Sequence, residues 1–362
     1  MKKLLAVLLV ALLAIGIVGC SEKPATTDPT ATDKPEGEKT IKVALLLPYI
    51  GDQSYFDIVY SGFQEISALP NVEAKLIEMG KDNSKWENYY LEAAEGGYDL
   101  IIGGNWEAEP SLYKIAKEFP DQKFINFDYS APEDLPNVYA MTYKSEELGF
   151  LAGVVAATAS KTGKIGAIGG MDSPSINDFF GGYITGAQAV NPDIKMSFGY
   201  VGNFQDAPKA KEQADNMYKS GVDVIFHAAG GAGNGLFESA SGIEGVWAIG
   251  VDSDQSLTFS EKPEIVKVIL SSATKNCDKA LVRAFNMYLD GTLPFGEKEL
   301  LGYKEGGVGI VKNDTYNNYF TDEQKAAIEQ LEQDLIDGKF DIPQIRLETD
   351  NTKWEALKAS VQ

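Results

Sequence analysis

The residues able to do chemistry in this chain stand just past short apolar runs. Asp52 and Tyr55 follow Ile41–Leu47, and Asn105 and Trp106 follow Tyr98–Ile102. Asp128 closes Lys123–Asp128, Asp172 and Phe179 come after Lys164–Ile168, and Phe204 comes after Lys195–Val201. Gly230 follows Val222–Ala229, Asp252 follows Val246–Val251, and Lys275 follows Ile265–Ser271. Aromatic rings offer flat faces for stacking, carboxylates accept hydrogen bonds from hydroxyl or N–H donors, and a lysine donates. A neutral heterocycle bearing a sugar needs that set. The same acids could instead serve as an acid/base pair or as oxygen ligands for Ca²⁺ or Mg²⁺. No metal motif supports the latter: the stretch DSDQS lacks the Gly and Glu of a calcium loop, and no zinc or nucleophile-elbow pattern occurs. The single histidine, His227, lies in an apolar run and reads as a core residue. No cofactor, metal or catalytic group is expected.

The glycines after Ala229 need separate treatment. Gly231, Gly233 and Gly235 are spaced G-x-G-x-G, with no Lys-Ser/Thr behind them, which is neither a dinucleotide fingerprint nor a phosphate loop. They predict a tight strand-to-helix turn where the backbone can come close to a ligand.

The apolar runs are short and β-branched, and helical stretches separate them. Strands are expected at Ile41–Leu47, Val72–Ile77, Tyr98–Ile102, Lys123–Asp128 and Val138–Tyr143, with helices at Ile58–Ala68, Trp86–Glu95 and Pro110–Phe119. An Ala/Gly-rich helix spans Ser145–Ala159, and the pattern then restarts at Lys164, with helices at Phe179–Val190, Pro208–Ser220 and Asp278–Leu289. Strict β-α alternation predicts parallel, doubly wound sheets, whose ligands bind at the carboxyl ends of the strands. Leu300–Val311 reads as strand-like, and Asp322–Ile336 as a helix that Thr321 and Gln324 cap and Gly338 ends.

Length and charge bound the answer. A chain of 362 residues has room for two domains, and its formal net charge of −21 argues against nucleic acid as a partner. The two cysteines, Cys20 and Cys277, imply no disulfide. Lys2 and Lys3, then the apolar Leu4–Val18, then Ile17-Val18-Gly19-Cys20 predict a signal peptide over residues 1–19 with lipidation of Cys20. Residues 20–40, rich in Thr, Pro, Asp and Glu, read as a flexible tether. The expected location is the extracytoplasmic face of the cell membrane, with the membrane contacted through the lipid.

Three long stretches carry a family resemblance: KTGKIGAIGGMDSPSINDFFGGYITGAQAVNPDIK, YVGNFQDAPKAKEQADNMYKSGVDVIFHAAGGAGNGLFE and WAIGVDSDQ. With them the chain, from Ile41 to Pro343, resembles the basic membrane protein family of substrate-binding lipoproteins of ABC transporters, which includes purine nucleoside receptors. The resemblance implies the type I periplasmic binding protein fold: two α/β lobes joined by three crossovers, closing on a ligand. It implies one lobe from residues 41–143 plus 276–295 and another from 144–275 plus 296–362. It implies Tyr55 and Phe204 on the faces of a base, with Phe179 lining the pocket. Asp128 would meet the base edge or sugar, and Gly230, Asp252 and Lys275 the ribose hydroxyls. Two positions depart from the family pattern. LLLPYIGD has no acid before Asp52, and Phe56 stands where many members have Asn. The expected partners are a nucleoside-like solute and an ABC permease, with the chain acting as a monomer. A carboxylate hydrolase of nucleosides or glycosides and a ligand-sensing receptor are the competing expectations.

Overall fold

The computed structural model describes residues 40–128, 133–348 and 350–362. The signal peptide, Cys20 and most of the tether lie outside the described residues. Among the described residues no helix is long and apolar enough to cross a membrane.

The first half runs β1 (Ile41–Leu47), α1 (Tyr55–Ser67), β2 (Val72–Glu78), α2 (Trp86–Glu95), β3 (Leu100–Gly103), α3 (Glu109–Glu118), β4 (Lys123–Asn126) and β5 (Val138–Tyr143). The second runs α4 (Ser145–Ala159), β6 (Lys164–Gly169), α5 (Pro174–Val190), β7 (Lys195–Tyr200), α6 (Ala207–Lys219), β8 (Val224–Ala228), α7 (Asn234–Ser241), β9 (Trp247–Asp252), α8 (Gln255–Thr258), α9 (Pro263–Val266) and β10 (Ile269–Lys275). The chain finishes with α10 (Cys277–Leu289), β11 (Lys298–Leu301), β12 (Val308–Ile310), α11 (Asp314–Tyr319), α12 (Asp322–Ile336) and α13 (Thr352–Ala359).

Two six-stranded sheets result, in the orders β11-β5-β4-β3-β1-β2 and β12-β10-β9-β8-β6-β7. All pairings are parallel except β10 with β12, where Ala273 opposes Ile310. Parallel strands are covered on both faces, which is why Val43–Leu47 and Val224–Ala228 read as unbroken apolar runs and are buried throughout. The chain crosses between the sheets three times: after Tyr143, after Lys275 and between Leu301 and Val308. This is the doubly wound, two-lobed architecture that the alternation predicts.

The Ala/Gly-rich helix shows how closely the second half is packed. A Cβ on Gly149 would sit 1.9 Å from the Phe179 carbonyl oxygen, and one on Gly182 would sit 1.9 Å from that of Glu146. Gly153 and Gly186 are equally tight against α5 and α4. The two helices therefore pack backbone to backbone, and any larger residue at these four positions would force them apart.

The structure corrects the sequence reading in four places. The strand expected over Ile265–Ser271 is a helical turn, Pro263–Val266, followed by β10 from Ile269. Pro263 pre-sets the first turn of that helix, and the apolar pattern alone does not reveal it. Leu300–Val311 is two strands in different sheets, so residues 298–301 belong beside β5, beyond the residue 295 end drawn for the first-lobe segment. Phe179 lies inside α5, which begins five residues earlier than expected. Lys275 is the last residue of its strand rather than one that follows it. The capping box of Thr321 and Gln324 is present as expected.

Candidate functional site

The carboxyl ends of both sheets border one cavity of about 740 Å³. Asp52, Tyr55, Asn105, Trp106 and Asp128 reach it from the first sheet. Phe179, Phe204, Gly230, Asp252 and Lys275 reach it from the second. Ten of the eleven residues singled out from the sequence thus line the same cavity. Asp172 does not; it accepts a hydrogen bond from Asn177 at 2.8 Å.

Asp128 is the hub of the buried end. Its Oδ2 accepts from Lys275 Nζ at 2.9 Å and from the Tyr55 hydroxyl at 2.9 Å, and Oδ1 accepts from the Thr142 hydroxyl at 3.2 Å. Lys275 is buried and lies over three rings, 5.2 Å from the centroid of Tyr55, 5.3 Å from Tyr143 and 5.6 Å from Phe179. Burial works to lower its pKa, but Asp128 and its other neighbours outweigh burial, and the net shift is upward. The ammonium stays charged. Burial together with Asp128 pushes the Tyr55 phenol far up, so it stays a donor. A charged donor and a neutral hydroxyl thus stand fixed before any ligand enters, which saves the cost of ordering them on binding.

Asp252 and Asp52 have different partners. Asp252 ends β9 in the left-handed region, φ +67, and its Oδ2 accepts from the Ser54 hydroxyl at 2.6 Å. Burial raises its pKa, and Lys275 and Ser54 oppose that shift. Asp52 is among the acids that the sequence offers for acid/base or metal-ligand roles. Its carboxylate instead accepts the backbone N–H groups of Ser54, Phe56 and Asp57 at 3.0–3.1 Å, so it anchors the start of α1. Burial, the leading cause, lifts its pKa to about 6 against those hydrogen bonds. Asn105, φ +77, likewise accepts from the backbone of Glu107 and Ala108 at the start of the α3 region. Gln53, φ +56, is the third non-glycine residue in the left-handed region among those described. All three lie at the cavity or in the loop beside it. Such backbone strain persists only where the surroundings over-determine it, and it concentrates at functional sites.

A set of direct bonds between the two lobes escaped the sequence. Gln255 Nε2 donates to the Gln53 carbonyl at 3.2 Å, and Asn234 Nδ2 donates to Gln53 Oε1 at 3.0 Å. Lys81 Nζ donates to Gln205 Oε1 at 2.5 Å, and Gln205 Nε2 donates to the Tyr49 hydroxyl at 3.2 Å. Behind Gln255 lies His227, with Nε2 2.9 Å from Gln255 Oε1, which also accepts from the Val251 N–H. Burial lowers the His227 pKa to about 4, so it is a neutral core group, as expected for a lone histidine in an apolar run. On the hinge side, Arg346 lines the cavity, sits 3.3 Å from buried Asp178 and donates to the Tyr143 carbonyl at 3.3 Å. Gln205, Asn234 and Gln255 lie within the motif stretches; nothing in the spacing of Gln53, Ser54 or Arg346 marks them.

A cavity held between the strand ends of two doubly wound lobes, lined from both and bridged by direct bonds, defines a two-lobed solute-binding receptor. The comparisons with known proteins place it more closely. The family model described as "ABC transporter substrate-binding protein PnrA-like" matches residues 41–345, and the chain belongs to that family. The ABC transporter nucleoside-binding protein BmpA of Lactococcus lactis is 32% identical over 360 residues, covering 94% of this chain and 99% of the relative. Basic membrane protein A of Borreliella burgdorferi is 31% identical, covering 95% and 96%. A solved ABC transporter solute-binding protein from Aeropyrum pernix superposes with a TM-score of 0.76 at 26% identity, covering 88% of this chain and 98% of that one. An Actinobacillus succinogenes solute-binding protein with bound D-allose, at 15% identity and a TM-score of 0.62, shares the fold. The chain is therefore the substrate-binding component of an ABC transporter, a receptor rather than an enzyme.

Proposed function

We propose that the protein captures a purine nucleoside between its lobes and delivers it to its ABC permease. The observation that carries this reading is the joint wall. Three rings, two carboxylates and a lysine from different lobes face one cavity, and a relative matching nearly the full chain is named a nucleoside-binding protein. Tyr55 and Phe204 flank the base, and Phe179 closes its side. Asp252, Gly230 and Lys275 take the ribose hydroxyls, and Asp128 holds Lys275 and Tyr55 in place while meeting the ligand edge. Asp52 and Asn105 act through the backbone they fix, and Trp106 stands at the mouth.

Closure follows from differential contact. A ligand touching both lobes binds the closed form better than the open one and shifts the population toward it. The Ser54–Asp252 and Gln53–Gln255 bonds add to the closed state once the lobes meet. Cys20 carries the lipid, and residues up to 40 tether the receptor, as a monomer, to the extracytoplasmic face of the membrane. Calorimetry with a panel of purine and pyrimidine nucleosides tests the reading. Heat and a raised melting temperature are expected for at least one purine nucleoside. Silence across the panel contradicts it.

A further inference from the structure

Beyond nucleoside capture, we infer that the hinge-side end of the cavity is an apolar compartment that takes a hydrophobic substituent on the ligand. The inference rests on the nucleoside reading and extends its substrate class to nucleosides enlarged by an uncharged apolar group. Five large hydrophobic residues are exposed among those described, and three of them, Trp106, Leu300 and Leu347, line this cavity. Exposed apolar side chains gathered on a cavity wall mark a binding surface more than a solvated one.

Leu300 and the residue before Leu347 both reach the end of β5. Leu300 pairs with Thr142 across β11 and β5. Arg346, the residue before Leu347, donates to the carbonyl of Tyr143, the next residue of β5. The Thr142 hydroxyl in turn donates to Asp128. The apolar end therefore begins directly beside the polar hub, within one continuous space. Leu300 is 37% exposed and Leu347 68%, while Asp252 and Lys275 are each 7% exposed. The cavity thus grades from a buried polar end to an open apolar one. Its volume of about 740 Å³ is in the upper half of the usual range for small-molecule sites, roughly 300–1,000 Å³.

The polar groups at this end are already engaged. Arg346 is held by Asp178 and by the Tyr143 carbonyl, and Gln344 Nε2 donates to Glu146 at 2.8 Å. An anionic substituent such as a phosphate would have to take Arg346 from a buried carboxylate. An alkyl or aryl group would need no new partner and would cover both leucines.

The test compares a parent purine nucleoside with versions carrying a benzyl group on the base amine or on the 5′ oxygen, by calorimetry on the full chain. At least one benzyl series binds about fivefold tighter or more, the gain from covering roughly 40 Å² of apolar surface. In Leu347→Asp and Leu300→Ser the ratio of conjugate to parent affinity falls to less than about twofold. If neither benzyl series binds more than about twofold tighter than the parent while the parent binds, the compartment is refuted and the nucleoside reading stands. If neither parent nor conjugate binds, the nucleoside reading fails and takes this inference with it.

Discussion

Asp128 in the cavity, its side chain 19% exposed, and Asp178, fully buried under the C-terminal strap of residues 341–348, each stand beside one cation, yet their acceptors are satisfied differently. Asp128 meets Lys275, the Tyr55 hydroxyl and the Thr142 hydroxyl. Asp178 meets Arg346 but also faces Glu146, and burial followed by that repulsion lifts its pKa to about 7. Glu146 Oε2 and Asp178 Oδ2 make no hydrogen bond among the described residues. Each cluster sets two acids around one base, Asp128 and Asp252 around Lys275 and Asp178 and Glu146 around Arg346, but hydroxyl donors from Tyr55, Thr142 and Ser54 fill further positions only in the cavity. Unmet carboxylate oxygens therefore mark the clamp that pins the strap onto α5, while the acids of the cavity meet hydrogen-bond donors. Raised carboxyls occur in both places, so the satisfaction of their hydrogen bonds is what separates the binding cluster from the clamp.

Breaking the cavity cluster has the largest expected effect. Lys275→Ala leaves Asp128 uncompensated and costs about 3–5 kcal/mol of stability. Ligand affinity falls at least a hundredfold by calorimetry. Pairing Lys275→Met with Asp128→Asn restores most of the melting temperature and none of the affinity. A Lys275→Ala protein as stable as the parent refutes the comparison.

The clamp answers more weakly and with a pH signature. Arg346→Met costs about 2–3 kcal/mol, below the usual range for a broken buried pair, because the Arg346 side chain keeps 20% exposure. The folded-state pKa of Asp178, about 7, lies above its ordinary 3.8, so the folded form holds the proton more tightly. Its contribution to stability is greatest near pH 4 and declines as pH rises toward 7. Asp178→Asn removes that decline, which urea unfolding at several pH values reads directly; an unchanged slope contradicts the assignment.

Two smaller changes test the bonds between the lobes. Ser54→Ala deletes the donor to Asp252 and lowers ligand affinity about tenfold, the size of one hydrogen bond to a charged group, mostly by faster release. Unaltered release kinetics would show that the bond plays no part in closure. Gln53→Gly shifts stability by less than about 1 kcal/mol, while Gln53→Val, which resists φ +56, costs more than about 1 kcal/mol. Equal melting curves for the two would remove strain from the account.

What the sequence revealed follows from where the information sits. β1, β5, α2, α4 and α12 were legible to the residue because each is written in a local pattern: an apolar run, a small-residue helix or a capping box. The ten cavity residues were legible because strand ends in a doubly wound sheet must converge. The start of β10 was hidden by Pro263-Glu-Ile-Val, whose apolar residues fit either strand or helix. The split of β11 from β12 is a fact of sheet membership that no local pattern records. Ser54 and Arg346 take their roles from partners 198 and 168 residues away, so spacing was silent on them, and the motif that ends in Gln255 does not reveal its partner 202 residues away.

The most direct test is mass spectrometry of the solute released on gentle denaturation of the purified protein. The account predicts a purine nucleoside, bare or carrying an apolar substituent, in near-equimolar amount. A free sugar, an amino acid or a nucleotide in that amount would contradict it.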